Sequence, residues 1–512
     1  MKAYNRLIVK WINILAASML ILLCSGVVKT AVAENANAGD IDGSGQVDLF
    51  DLVGALRILI ENGGDQVVDL TADVNGDGRL GLGEAIYILR KIAGVEPPVA
   101  SLVKSPAVYD ADPAFSDDDM QALVGGFSQF TFDFYHALAN QSSSAEKNLF
   151  FSAYSIENAL AMTWAGARNQ TAVQMAAALR FNLPGDRFHP TLNALNIDLN
   201  SRDDQPPASG DAFSLNLVNA VWSRIGYPFL APYLDTIATN YDAGIRVLDF
   251  VSRPEPSRQT INQWVAEQTY DKIQNLLPAG SISPYTVVVL TNAIYFKASW
   301  FNKFDPDLTK LGLFTRLDGS PVTVDMMHQQ LDTRAVIGDG FDAVEFPYVS
   351  TRFPESPYPQ ELSMLVIIPH TGQFSRIESA LDKPWVDALV SSLSFHTVDL
   401  TFPKFQFESE AKCKEILQGL GMTDAFVPLA ADFGAMVDPN DSRPWIDEIY
   451  HKAFVAVDET GTEAAAATAV VMTDTSVPEP VTISADRPFI LLIRDNITQT
   501  ILFMGRVLDP TA

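Results

Sequence analysis

Helical and strand-like runs that do not alternate predict an α+β fold for most of this chain, with a small all-α module ahead of it. Three observations carry that reading. From about residue 118 to 180 the hydrophobic spacing is helical, and beyond it strand-like runs become frequent. Strict alternation of helix and strand, the mark of a doubly wound sheet, is missing. Near the N-terminus two Asp/Gly-rich segments repeat at an offset of 33 residues, each followed by an apolar helical run. No linker-like stretch appears after residue 117, so residues 118–512 read as one large domain.

Residues 1–33 read as a secretory signal: Lys2, Arg6 and Lys10 form the basic start, Trp11 to Val28 is apolar, and Ala31-Val32-Ala33 precedes Glu34 as a cleavage site. The apolar run is long for a signal, so a retained membrane anchor is the alternative. Lipid attachment at Cys24 is disfavoured by Leu23, where a small residue would be expected. The leader carries four basic residues and no acidic ones, so its removal takes the formal charge from −27 to −31. Phosphates need a basic footprint, which excludes a nucleic-acid partner; the acidic balance favours solubility outside the cell. After cleavage no membrane partner is expected. Cys413 is then the one cysteine left, so stability must come from packing rather than an internal disulfide. Following Lys412 in a mixed helical run, it reads as a half-buried structural thiol, not a nucleophile.

The repeated segments fit the twelve-residue calcium loop. In the first, Asp40, Asp42, Ser44, the Gln46 carbonyl, Asp48 and Asp51 would supply ligands. In the second they are Asp73, Asn75, Asp77, the Arg79 carbonyl and Glu84, with water in place of a side chain at Gly81. Gly45 and Gly78 sit where such a loop turns sharply. Two Ca2+ ions are expected, and a segment of this size needs them to fold. Residues 39–94 resemble a dockerin, a module that folds around two calcium ions and docks onto a cohesin domain of a scaffold protein. In dockerins the tenth and eleventh loop positions often carry Ser or Thr and help choose the cohesin. Here they are Leu49, Phe50, Leu82 and Gly83, which leaves a calcium-stapled spacer as the alternative. Residues 95–117, opening with Val95-Glu96-Pro97-Pro98-Val99, read as a linker.

In the large domain Ser116 caps an acidic first turn, Asp117 to Asp119, and Phe127, Phe130, Phe134 and Leu138 form a helical stripe. Strand-like runs follow at 215–222, 286–296, 362–368, 398–402, 454–457 and 489–493. Near the end, Asp458 to Val471 is uncharged after Glu463, free of Pro and Gly after Gly461, and holds the run Ala464, Ala465, Ala466, Ala467. At strand period Thr462, Ala464, Ala466, Thr468, Val470 and Met472 share one face, while Glu463, Ala465, Ala467, Ala469, Val471 and Thr473 share the other. Such a segment can slide between existing strands without burying a charge on its first face; a solvated alanine-rich helix is the alternative. Of catalytic motifs there is no G-x-S-x-G, H-E-x-x-H, Walker loop or G-x-G-x-x-G after a strand, and the six histidines are scattered. No enzyme is expected, although a Ser-His-Asp site assembled only in space would leave no local signal.

Four segments carry a second resemblance. Asn148-Leu149-Phe150-Phe151-Ser152-Ala153-Tyr154-Ser155-Ile156, Thr291 to Trp300, His451-Lys452-Ala453-Phe454 and Phe503-Met504-Gly505-Arg506-Val507 look like segments of the serpins, the serine protease inhibitor family. The likeness spans roughly Phe127 to Asp509. It implies a serpin fold: a large mixed central sheet, additional sheets, surrounding helices and an exposed reactive loop, in a domain expected to be monomeric. Ser152, Ser155, Asn292 and His451 would match a polar cluster where the sheet parts, and Trp300 the tryptophan at its top opening. Ala153 stands where serpins usually have proline.

The resemblance implies that a protease cuts the loop, about Glu459 to Pro480, becomes acylated, and is dragged and deformed as the loop inserts. Glu459, Gly461, Thr462, Glu463 and Ala464 to Ala467 would be the loop hinge, small enough to enter the sheet. Family spacing from Gly461 places the reactive bond at Thr475-Ser476. Counting back from Pro488-Phe489 gives Val477-Pro478, disfavoured by the proline, and Met472-Thr473 is third. All are small or apolar, so a subtilisin-like or elastase-like serine protease is the expected partner, with papain-like enzymes open. The other readings are a non-inhibitory serpin used for binding or structure, and a hydrolase. With a dockerin attached, a secreted, extracellular inhibitor held on a scaffold is expected.

Overall fold

The computed structural model describes residues 40, 41, 44, 47–60, 85, 88, 101–203, 214–349, 361–438, 440, 443–462 and 480–512. The chain divides into two units, Met1–Val99 and Ala100–Ala512. In the first, helix α1 (Leu49–Ile60) follows the first Asp/Gly-rich segment. Its Leu52 and Ala55 are buried with Ala85 and Ile88, and Ile41 and Val47 pack against them.

The second unit holds helices α2 (Asp117–Ala139), α3 (Ala153–Trp164), α4 (Asn169–Ala178), α5 (Gly185–Asn200), α6 (Ala231–Tyr241), α7 (Pro254–Gln268), α8 (Phe374–Ala380), α9 (Lys383–Ser392) and α10 (Cys413–Gly419). Its strands are β1 (Ser101–Val103), β2 (Leu149–Phe151), β3 (Ser214–Arg224), β4 (Ile245–Leu248), β5 (Val288–Ser299), β6 (Lys310–Thr315), β7 (Pro321–Ile337) and β8 (Phe341–Pro347). They continue with β9 (Leu362–Pro369), β10 (Ser394–Pro403), β11 (Phe405–Lys412), β12 (Ile449–Val457), β13 (Gly461–Thr462), β14 (Val481–Ser484), β15 (Phe489–Asp495) and β16 (Ile501–Val507). Two sheets result. The large one runs β1-β4-β3-β5-β13-β12-β11; the second runs β14-β10-β7-β8-β9-β15-β16-β2, with β6 on β7.

Local chemistry explains where the helices start. Ser116 Oγ accepts the Asp119 amide at 3.2 Å and opens α2, whose three acidic residues face the positive end of the helix dipole. The stripe Phe127, Phe130, Phe134 and Leu138 is buried. Ser152 Oγ accepts the Ser155 amide at 3.1 Å and opens α3, with Ala153 as its first residue. Helix α3 packs on β16 of the second sheet and on β3 and β5 of the large one. The opposite face of the large sheet is covered by α7, where Ile261, Trp264 and Val265 join Trp222, Val289, Ala293 and Phe454 in a separate apolar cluster.

Every strand-like run seen in the sequence falls on a strand that extends beyond it, but β5 starts at Val288, two residues into the run 286–296. One span differs from its reading. Within 95–117, taken as a linker, Ser101–Val103 form β1, antiparallel to β4. Three residues cannot show a strand period; here the free edge of β4 makes the strand.

Candidate functional site: a parted sheet and its hinge

In the large sheet β5 and β12 run parallel and pair from Leu290↔Ile449 to Ile294↔Ala453. Above that point the pairing stops. At the mouth β13 lies between the two strands, antiparallel to both: Thr462 opposes Val457 of β12 and Ala298 of β5, and Gly461 opposes Ser299. The sheet is therefore parted above residue 294, with a two-residue plug of the chain at the opening.

Where β5 and β12 still pair, a buried polar network ties them. His451 and Asn292 face each other in register. The Ser152 amide donates to His451 Nε2 at 3.2 Å, so that nitrogen is bare and Nδ1 carries the proton it gives to Asn292 Oδ1. Asn292 Nδ2 donates to Ser155 Oγ at 2.7 Å and Asn219 Oδ1 at 2.6 Å, and Ser155 Oγ donates to Asn219 Oδ1 at 3.2 Å. Ser152, Ser155, Asn292 and His451 thus converge; Trp300 does not join them. Asn219 was missed, although an asparagine within the run Leu215 to Trp222 is a polar interruption that a sequence reading can catch.

Trp300 belongs to the mouth. Its indole nitrogen donates to the Asp458 carbonyl at 3.0 Å, its amide donates to the Thr460 carbonyl at 2.9 Å, and its ring stacks on Tyr348 at 4.7 Å. Tyr348 and Thr462 share a hydrogen bond of 2.8 Å between their hydroxyls. Gly461 is required: a Cβ there would overlap the Ala298 carbonyl oxygen. Glu459 receives Lys404 Nζ at 2.8 Å and the Thr309 hydroxyl at 2.8 Å. Burial would raise its carboxyl pKa, but these donors outweigh burial and hold it below the usual range. Tyr348, Lys404 and Thr309 carry no sequence signal, because strands far apart in the chain bring them here. Glu463, Ala464, Ala465, Ala466, Ala467, Thr475 and Ser476 lie outside the described residues.

Burial lowers the His451 pKa to about 3 and that of His189, bonded to the Tyr241 hydroxyl, to about 4. Both stay neutral when folded, while the unfolded chain takes a proton below about pH 6.5. Their stabilising share is complete above that pH and is lost as pH falls toward 4, by about 1.4 kcal/mol per pH unit for each histidine. Glu157 in α3 acts in the opposite sense. Its carboxyl oxygens are buried without a hydrogen-bond partner, and burial raises its pKa well above normal. The stability of its protonated form is present below the unfolded value and lost as pH rises through the folded one. Melting followed from pH 7 to pH 5 should show His451→Gln with a shallower loss than the parent, the difference opening below about pH 6.5 and reaching about 1.4 kcal/mol per pH unit near pH 5. Equal slopes would remove His451 from the account.

Cys413 is buried, and burial with the nearby Glu448 charge pushes its thiol pKa up, which suits a structural thiol.

Of the calcium-loop residues, Asp40, Ser44, Asp48 and Asp51 are described; Asp42, Gln46, Asp73, Asn75, Asp77, Arg79 and Glu84 lie outside. Asp51 is buried, with its two oxygens accepting the Ile41 amide at 2.7 Å and the Asp48 amide at 2.8 Å. Asp40, also buried, accepts the Ser44 amide at 3.0 Å. These backbone amides satisfy the buried carboxylates. Among the described residues no three acidic, His or Cys side chains form a metal cluster.

The comparisons agree with this geometry. The family model described as serpin (serine protease inhibitor) matches residues 126–510. An uncharacterized serpin-like protein of Thermococcus kodakarensis is 36% identical over 391 residues, 76% of this chain and 86% of the relative. The leukocyte elastase inhibitor of Xenopus tropicalis is 34% identical over 397 residues, 76% of this chain and all of the relative. The thermophilic serpin tengpin in its native state superposes with a TM-score of 0.67 at 27% identity, covering 80% of this chain and 99% of that structure. The parted sheet, its plug and the matched length leave one assignment: this chain belongs to the serpin family.

Proposed function

We propose that this serpin is an inhibitor that traps serine proteases covalently: its loop is cut, inserts into the large sheet, and carries the acylated protease with it. The observation that carries the reading is β13. Gly461 and Thr462 already lie between β5 and β12, antiparallel to both, in the direction an inserted strand would extend. Completing insertion separates β12 from β5 and breaks the His451–Asn292 bond that joins them. Because the network there is neutral, parting it exposes no unpaired charge. Glu463 and the small residues Ala464 to Ala467 come next in the sequence, and small side chains enter a sheet fast enough to compete with deacylation. The proposed reactive bond is Thr475-Ser476, which suits a subtilisin-like or elastase-like protease.

Mixing with subtilisin tests the reading. A boiling-resistant band near the summed mass on a denaturing gel is expected. Loop-cut protein without that band would establish the non-inhibitory alternative.

We also propose that residues 39–94 hold two calcium ions and, once the leader is removed and the protein secreted, dock on a cohesin of an extracellular scaffold. The buried Asp40 and Asp51 and the exposure of Leu49 and Phe50 on α1 support this reading. Calorimetric titration should count two Ca2+ per chain, reduced to one by Asp40→Ala combined with Asp51→Ala. EDTA should open residues 39–94 to limited trypsin digestion while protease trapping continues. A trypsin-resistant module in EDTA would exclude calcium-dependent folding.

A further inference from the structure

The edge of the large sheet carries a strap that insertion must disturb. Strand β1 adds to β4 through Ser101↔Val247, Leu102↔Arg246 and Val103↔Ile245. The chain then crosses α6 and α5. Lys104 Nζ donates to the Asp242 carboxylate at 2.5 Å and to its carbonyl at 3.1 Å, at the end of α6. The Ser105 hydroxyl donates to Asp235, and the Asp110 amide to the Thr239 carbonyl at 2.9 Å, both on α6. Tyr109 OH donates to Asn193 Oδ1 of α5 at 2.7 Å, and Asn193 Nδ2 returns a bond to the Asp110 carbonyl at 2.6 Å. Asn193 is fully buried. Gly244 accommodates the strap: a Cβ there would meet Lys104 Cβ at 2.9 Å and the Val103 carbonyl oxygen at 3.0 Å.

We infer that residues 101–110 are a brake on loop insertion, setting how readily the sheet opens. This rests on the insertion reading above. A strand entering between β5 and β12 must push the block β5-β3-β4 away from β12 by about one strand spacing, ~4.8 Å. The strap bonds β4, at the far edge of that block, to α5. Helix α5 packs on α2, and α2 packs on β16 of the second sheet. The block therefore cannot slide past the helices without stretching or breaking the strap's bonds. Interactions lost on the way to the opened sheet slow its opening, because they raise the barrier without stabilising the product.

Two variants test this from opposite sides in the full-length protein. Lys104→Ala with Tyr109→Phe loosens the strap itself; Gly244→Val displaces it from the receiving surface. Val108→Ser, at an exposed strap position, is the control. The readout is the half-time with which uncut protein, warmed just below its unfolding transition, passes into a loop-inserted form of raised thermal resistance. Both strap variants should convert about ten-fold faster than the parent, with the control unchanged. Variants that stay folded and convert within about two-fold of the parent would overturn the brake. A parent that gains no thermal resistance when its loop is nicked would instead overturn the insertion reading, so the two failures are distinct.

Discussion

Thr462→Arg should turn the trap into a substrate: the loop is cut at the parental rate, yet almost no covalent complex survives. Thr462 is 1% exposed, between Ala298 of β5 and Val457 of β12, with its hydroxyl bonded to Tyr348. A guanidinium cannot be housed there without leaving a buried charge unpaired, which costs several kcal/mol. The proposed reactive bond lies 13 residues further on, so acylation is untouched. Insertion and deacylation compete for the same acyl-enzyme, and about 3 kcal/mol added to insertion shifts that partition by ~100-fold. On a denaturing gel the complex should vanish and loop-cut chain accumulate, with Thr462→Ser close to the parent. A normal yield of complex from the arginine variant would show that Thr462 does not lead the inserting face.

Nicking the loop should make the parental protein much harder to melt. The gap between β5 and β12 opens above Ile294 and Ala453, and β13 already occupies its mouth. A central strand of some ten residues adds ladder hydrogen bonds to both neighbours at about 0.5–1 kcal/mol net apiece, so on the order of 10 kcal/mol in all. In a domain of this size 1 kcal/mol moves the midpoint by about 2 °C, so a rise of roughly 20 °C is expected. Calorimetry before and after limited digestion measures it. Thr462→Arg, nicked in the same way, should show little gain. An unchanged midpoint for the nicked parent would mean that the gap is not filled by the loop.

Much of the architecture was legible where local chemistry decides. The runs now in β9 and β15 are buried along their whole length and read as continuous apolar stretches. The cap at Ser116 and the phenylalanine stripe marked α2. By contrast β7 was not legible as one strand: Pro321–Ile337 alternates exposed and buried from Pro321 to Met326, then resumes in the opposite phase from Gln330 to Ala335, with a break over Met327 to Gln329. Its extended form comes from pairing with β6, β8 and β10, none of which is local information. Strand β1 is the extreme case, three residues ordered by a neighbour more than 140 positions away, since Ser101 pairs with Val247.

The site divides in the same way. Ser152, Ser155, Asn292 and His451 were found through family likeness, not through spacing, since nothing local joins residues 152 and 451. Asn219, Tyr348, Lys404 and Thr309 required the folded chain. Composition and short-range preference were readable along the chain: an acidic balance, two Asp/Gly-rich segments, helix caps, apolar strand-like runs and a run of small side chains. Where β5 and β12 pair and where they part depends instead on the packing of whole layers: they pair up to Ile294 and Ala453, and β13 lies between them beyond that point. A gap is a relation between β5 and β12, held open at one end by two residues and shut at the other by a histidine and an asparagine. Contacts between residues more than a hundred positions apart depend on how whole layers pack, and no window of sequence contains them.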